Sequence, residues 1–154
     1  MRLLAEEGKI DIEKPIDSYM PALRDTEWNG TRVIDVLDMA SGMDIIETQV
    51  NRENPRSVIT RYNLAVTGEP NAEGKRESQF EVIRSAKRIS SAGKAFDYSS
   101  LNTTMLALLA EVVENKRWHD IFQERVWSKM TVEGDMQVAI APDSTPQPHG
   151  FIAS

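Results

Sequence analysis

The chain contains no cysteine, so disulfides, thiolate nucleophiles and zinc ribbons are excluded at the outset. Histidine is almost as scarce. The two present, His119 and His149, stand far apart, and no metal site is expected of them. Positive charge is outnumbered, 18 basic against 24 acidic residues for a net charge of −6, and no cluster of Lys and Arg forms a stripe able to track a phosphate backbone. Nucleic acid is therefore not an expected partner. Long apolar runs are missing too: the longest, Met105 to Val113, is broken by Glu111 and falls well short of the ~20 residues that cross a bilayer. The first residues show no signal-peptide pattern, so neither a membrane nor an export route is expected, and the compartment stays open. Nothing calls for a cofactor, and there is no internal repeat or low-complexity tract.

What is present is a chain of 154 residues, 40% apolar and 27% charged, enough for one domain with a real core. Helix signals dominate. Met1 to Glu7 reads as the last turns of a helix with Leu3 and Leu4 inward and Gly8 at its left-handed end. Lys9 to Leu23, with Ile10 and Ile12 and then Pro15 and Pro21, reads as an extended link and one short helical turn. Thr31 can cap a helix over residues 32–40 that Gly42 terminates, and Asn54-Pro55 can start another that runs to Gly68. Ser78-Gln-Phe-Glu81 is a capping box opening a helix to about Arg88. From Ser99, Leu101, Met105, Leu108, Leu109, Val112 and Val113 recur at helical spacing, and Trp118 to Met130 forms a last amphipathic helix burying Ile121, Phe122 and Val126. Only Val138 to Ile140 suggests a strand, and Pro142 to Pro148 reads as irregular. The expected fold is mainly α, a single helical domain over 1–154.

One segment carries chemistry. Phe96-Asp-Tyr98-Ser-Ser100-Leu-Asn-Thr103 sets a tyrosine just ahead of a helix start with a hydroxyl side chain two places on. Read from the residues alone, Tyr98 is better explained by packing, and Ser100 is as well explained by helix capping. Ser91-Ala-Gly-Lys94 has the spacing of a nucleophile and its activating lysine, but Gly93 disfavours the helical turn that chemistry needs by about 1 kcal/mol.

Four blocks in order resemble the serine β-lactamase, penicillin-binding-protein and esterase superfamily, most nearly its 6-aminohexanoate-oligomer hydrolase branch. These are Leu4-Ala-Glu-Glu-Gly-Lys-Ile-Asp-Ile to Tyr19-Met-Pro, Thr31 to Ser41-Gly42, Tyr98-Ser-Ser100 with the helix after it, and His149-Gly to Ser154. Asn51 to Arg76 is the least recognisable stretch. The resemblance implies a β-lactamase-like helical domain without its antiparallel sheet domain. It also implies an acyl-serine route for small-molecule esters, amides or β-lactams. Tyr98 would be the proton shuttle, and Ser100 would contact substrate where β-lactamases carry asparagine. The family's Ser-x-x-Lys pair would lie upstream of Leu3 and its late Lys-Thr-Gly or His-x-Gly motif beyond Ser154, so this chain is expected to be inactive alone. The other reading is a non-catalytic helical interaction module, self-associating or binding a partner through an apolar face left exposed.

Overall fold

The computed structural model describes residues 1–131, 133–134 and 136–153, with the backbone alone for 136 and 146–153. Ser154, the end of the last resembling block, lies outside the described residues. Among those described, seven α-helices carry the fold: α1 Arg2–Glu6, α2 Val33–Leu37, α3 Gln49–Glu53, α4 Val58–Thr67, α5 Gln79–Arg84, α6 Ser100–Glu114 and α7 Trp118–Arg125. A single hairpin, β1 Met136–Ile140 antiparallel to β2 Pro146–Ala153, is the only sheet among them. The mainly helical class follows directly.

Helix α6 is the axis. Ser99 is fully buried and its Oγ accepts the Leu101 N–H at 3.3 Å, so the cap is Ser99 rather than Ser100. Asn115, at φ 49°, ends the helix in the left-handed region that asparagine tolerates. Leu101, Met105 and Leu109 point inward with Ala107, Ala110 and the polar Asn102 and Thr104, and α2, α5, α7 and β2 pack around them. Val112, expected inward, is half exposed because it falls on the edge of the buried stripe.

Several other boundaries differ from expectation for local reasons. Helix α4 starts at Val58, not at Pro55: Asn54 Oδ1 turns the chain by accepting the Arg56 N–H, and Ser57 then caps through the Thr60 N–H. Helix α2 starts after Arg32, whose N–H is taken by Asp35 Oδ2 at 3.2 Å, while Thr31 is buried and accepts from Arg88 instead. The capping box of Ser78 and Glu81 is present, but α5 stops at Arg84 because the residues after it run extended beside 41–44. Leu4 is buried and Leu3 is 44% exposed, so α1 has one inward leucine rather than two. Helix α7 ends at Arg125 and continues as a 3-10 turn over Trp127–Lys129. Residues 146–148, read as irregular, belong to β2. A hairpin edge accommodates proline, and the loop is closed by the Thr145 N–H on Asp143 Oδ1.

Trp28 is completely buried and donates its Nε1–H to the Ile83 carbonyl at 2.8 Å, fixing the link before α2 to the end of α5.

Candidate active site

Two distant stretches form the platform beneath Tyr98. Residues 39–44 follow α2, and residues 86–97 lead into α6. Ile89 and Ser90 donate their amides to the Gly42 carbonyl at 2.9 and 3.1 Å. Gly93 donates to Ala40 O at 2.8 Å and Asp97 to Met39 O at 2.7 Å. Gly42 is needed at this crossing. It sits at φ +73°, and a Cβ there would overlap the Ser90 carbonyl oxygen. Arg88 ties the same layer to the link of turns before α2, donating from Nη2 to Glu27 O and Thr31 Oγ1, both at 2.6 Å, and from Nη1 to Ser41 O at 3.3 Å.

This platform delivers Tyr98 to the surface immediately before the buried cap Ser99. Tyr98 is 54% exposed, and Phe96 beside it in the chain is 70% exposed. The next residue, Ser100, is half-buried; its N–H goes to Glu47 Oε1 at 2.6 Å, and its carbonyl accepts from Thr104 Oγ1 at 3.3 Å. Thr104 Oγ1 is in turn bonded to the Tyr62 hydroxyl at 2.7 Å. Burial pushes that hydroxyl up to about 12, only partly offset by the bond to Thr104, so Tyr62 is a neutral strut and not an acid–base group.

Ser91 and Lys94 are both exposed and joined by a turn in which Lys94 N–H meets Ser91 O at 3.3 Å. Gly93 between them is at φ +76°, so the two side chains do not share a helix face. His119 lies on α7, which begins past the far end of the fifteen-residue α6, about 22 Å from Tyr98's end of that helix. Its Nε2 is 3.6 Å from Asp120 Oδ1. Among the described residues no group of His, Asp and Glu is arranged to hold a metal ion, and no helix is long and apolar enough to cross a membrane.

Sequence reasoning missed Glu47, which reaches Ser100 from 53 residues away. No periodicity or spacing signals such a contact.

The beta-lactamase family model matches residues 1–144, and the chain belongs to that family. It is 26% identical over 137 residues to the 6-aminohexanoate-dimer hydrolase of Paenarthrobacter ureafaciens, covering 89% of this chain and 34% of that protein. The structure of a candidate 6-aminohexanoate-dimer hydrolase from Bacillus anthracis superposes with a TM-score of 0.82 at 23% identity, over 97% of this chain and 39% of the other. A class C beta-lactamase superposes with a TM-score of 0.56 at 16% identity, over 82% of this chain and 29% of the other. The chain thus spans a little over a third of the length of the first two.

Proposed function

We propose that this chain supplies the tyrosine-bearing part of an acyl-transfer site in a serine hydrolase of the beta-lactamase family, acting on small esters or amides. The observation that carries the reading is the exposed Tyr98 held at the start of α6 by the crossed segments 39–44 and 86–97. The relative named for hydrolysing a 6-aminohexanoate dimer, together with serine at position 100 in place of asparagine, favours a linear amide or ester over a β-lactam.

In this reading the nucleophilic serine and its lysine are contributed by a Ser-x-x-Lys pair outside these 154 residues. The serine Oγ adds to the substrate carbonyl carbon while its proton passes toward the Tyr98–lysine pair. The C–N or C–O bond then breaks, and Tyr98 returns the proton to the leaving amine or alcohol. Water frees the acid from the acyl-serine by the same route in reverse. A phenol that ordinarily titrates near ~10 serves as a base at neutral pH only beside a cation, which is the part the lysine plays. Ser100 offers its hydroxyl to the substrate's carbonyl or amide. Alone, the chain has no covalent route and does not turn over.

A fluorophosphonate probe and a nitrophenyl ester test this. The chain by itself should remain unlabelled and inactive. The longer protein that includes it should be labelled on a serine outside residues 1–154, and Tyr98→Phe should slow its acylation by about 10²–10⁴-fold. Labelling of Ser91 in the chain alone, with Tyr98→Phe silent, would sink the reading.

A second reading, association through an apolar face, is favoured by a groove of about 260 Å³ between α1, α6 and α7, lined by Leu3, Leu106, Trp118, Ile121, Phe122 and Val126.

A further inference from the structure

Helix α3 buries none of its five residues, and a helix that short is not stable by itself. What it does is bring Arg52 back onto Glu47. Arg52 Nη2 meets Glu47 Oε2, leaving Oε1 to accept the Ser100 N–H at 2.6 Å. The Glu47 side chain is only 11% exposed, whereas Arg52 is half exposed. The carboxylate therefore has both oxygens occupied, one by a surface cation and one by the first amide of α6.

That amide is a telling target. The first N–H groups of a helix have no partner within it, and Ser99 Oγ already takes the Leu101 N–H. Ser100 N–H, two residues from Tyr98, is left for an acceptor from elsewhere, and Glu47 provides it with a full negative charge at the positive end of a fifteen-residue helix. From the other side, Thr104 Oγ1 of the same helix donates to the Ser100 carbonyl, and the Tyr62 hydroxyl of α4 meets that Oγ1. The peptide group before Ser100 is thus held from the 43–48 segment, and the one after it by Thr104 of α6, itself bonded to α4.

We propose that Glu47 is a positioning residue for this site: by clasping the Ser100 amide it sets the backbone from which Tyr98 and the Ser100 hydroxyl project. The proposal rests on the acyl-transfer reading above for its consequence, though the clasp itself can be measured without any activity. Glutamine keeps an acceptor at the same reach, aspartate is one methylene short, and alanine has none. A cap that merely stabilised the chain would not distinguish these three by turnover.

Amide exchange of the 154-residue chain, read residue by residue by NMR, is the first measurement. Glu47→Ala and Glu47→Asp should speed exchange of the Ser100 amide by about 10- to 100-fold, Glu47→Gln should keep it within about threefold of the parent, and the Ala65 amide in mid-α4 should not change. Glu53→Ala, on the following helix α3 with its side chain bonded to Gln49, should leave Ser100 untouched. An unchanged Ser100 amide in Glu47→Ala, or equal acceleration at Ser100 and Ala65, would overturn the clasp. In the longer protein, Glu47→Ala should lower kcat for a nitrophenyl ester about tenfold with KM within about twofold, and Glu47→Gln should recover most of it. Equal kcat in all three overturns the positioning role. If the longer protein with Glu47 intact hydrolyses nothing, the functional reading falls while the exchange result still decides the clasp.

Discussion

Replacing Gly42 by alanine tests the platform under Tyr98 directly. The residue is at φ +73°, where a side chain costs about 1–2 kcal/mol in backbone strain. Its new Cβ would also overlap the Ser90 carbonyl and come within 3.2 Å of Ser90 Oγ. Backbone is the obstructing atom, so relief requires the 88–97 segment to shift, an overpacking cost of about 1–3 kcal/mol. Gly74 is the matched control: it has φ +76° but no atom within 4 Å of an added Cβ, so Gly74→Ala carries only the strain. Urea unfolding of both variants should therefore separate them by about 1–3 kcal/mol at unchanged m, with Gly42→Ala the less stable. For a chain of this size the gap corresponds to about 2–12 °C in Tm. Because the displaced segment ends at Tyr98, the Asp97 amide resonance should move in Gly42→Ala and stay put in Gly74→Ala. Equal destabilisation by the two substitutions would refute the claim that close approach, and not backbone conformation alone, demands glycine at 42.

Ser99→Ala should cost about 1 kcal/mol in urea unfolding by removing the α6 cap, whereas Ser100→Ala should stay within about 0.5 kcal/mol; the reverse order would restore Ser100 as the cap. The Arg61 guanidinium bonded to Glu77, aided by Asn71, holds that carboxyl below its ordinary value of 4.5. A depressed carboxyl contributes stability that is present above the unfolded value and is lost as pH falls through the folded one. Glu77→Gln should accordingly flatten the fall in stability below about pH 4.5 and lower stability at pH 7, as followed by unfolding at stepped pH. The apolar groove between α1, α6 and α7 should give the isolated chain a concentration-dependent mass in light scattering, weakened by Leu3→Lys; a strictly monomeric chain that binds no hydrophobic dye would argue against it.

Features governed by local rules were legible before any coordinates. The period of Leu101, Met105 and Leu109 located α6, the Ser78 and Glu81 pair located the start of α5, and Tyr98 was legible as lying just ahead of a helix. Competition between equivalent neighbours was not legible. Ser99 and Ser100 are both good caps, and only the burial of Ser99 under the platform decides between them. The start of α4 was misjudged because Asn54 and Ser57 spend their side chains on turn and cap, leaving Pro55 outside the helix. Residues 146–148 read as irregular because proline argues against a strand in general but not at a hairpin edge. Glu47 had no signal at all, since its role depends on a contact that closes a long excursion of the chain.

That excursion has a thermodynamic corollary. Residues 45–85 leave the platform and return to it, and the latch is made of the main-chain bonds between 39–44 and 86–97. A loop already closed by its own base tolerates lengthening well, because closure entropy rises only with the logarithm of length, about 0.6 kcal/mol for a doubling. The exposed turn around Gly74, between α4 and α5, is the point where extra residues meet no neighbour. Sequence could be added there while the platform, and Tyr98 at its end, stay registered. The architecture thereby separates a base of fixed register from an excursion whose length is free to vary.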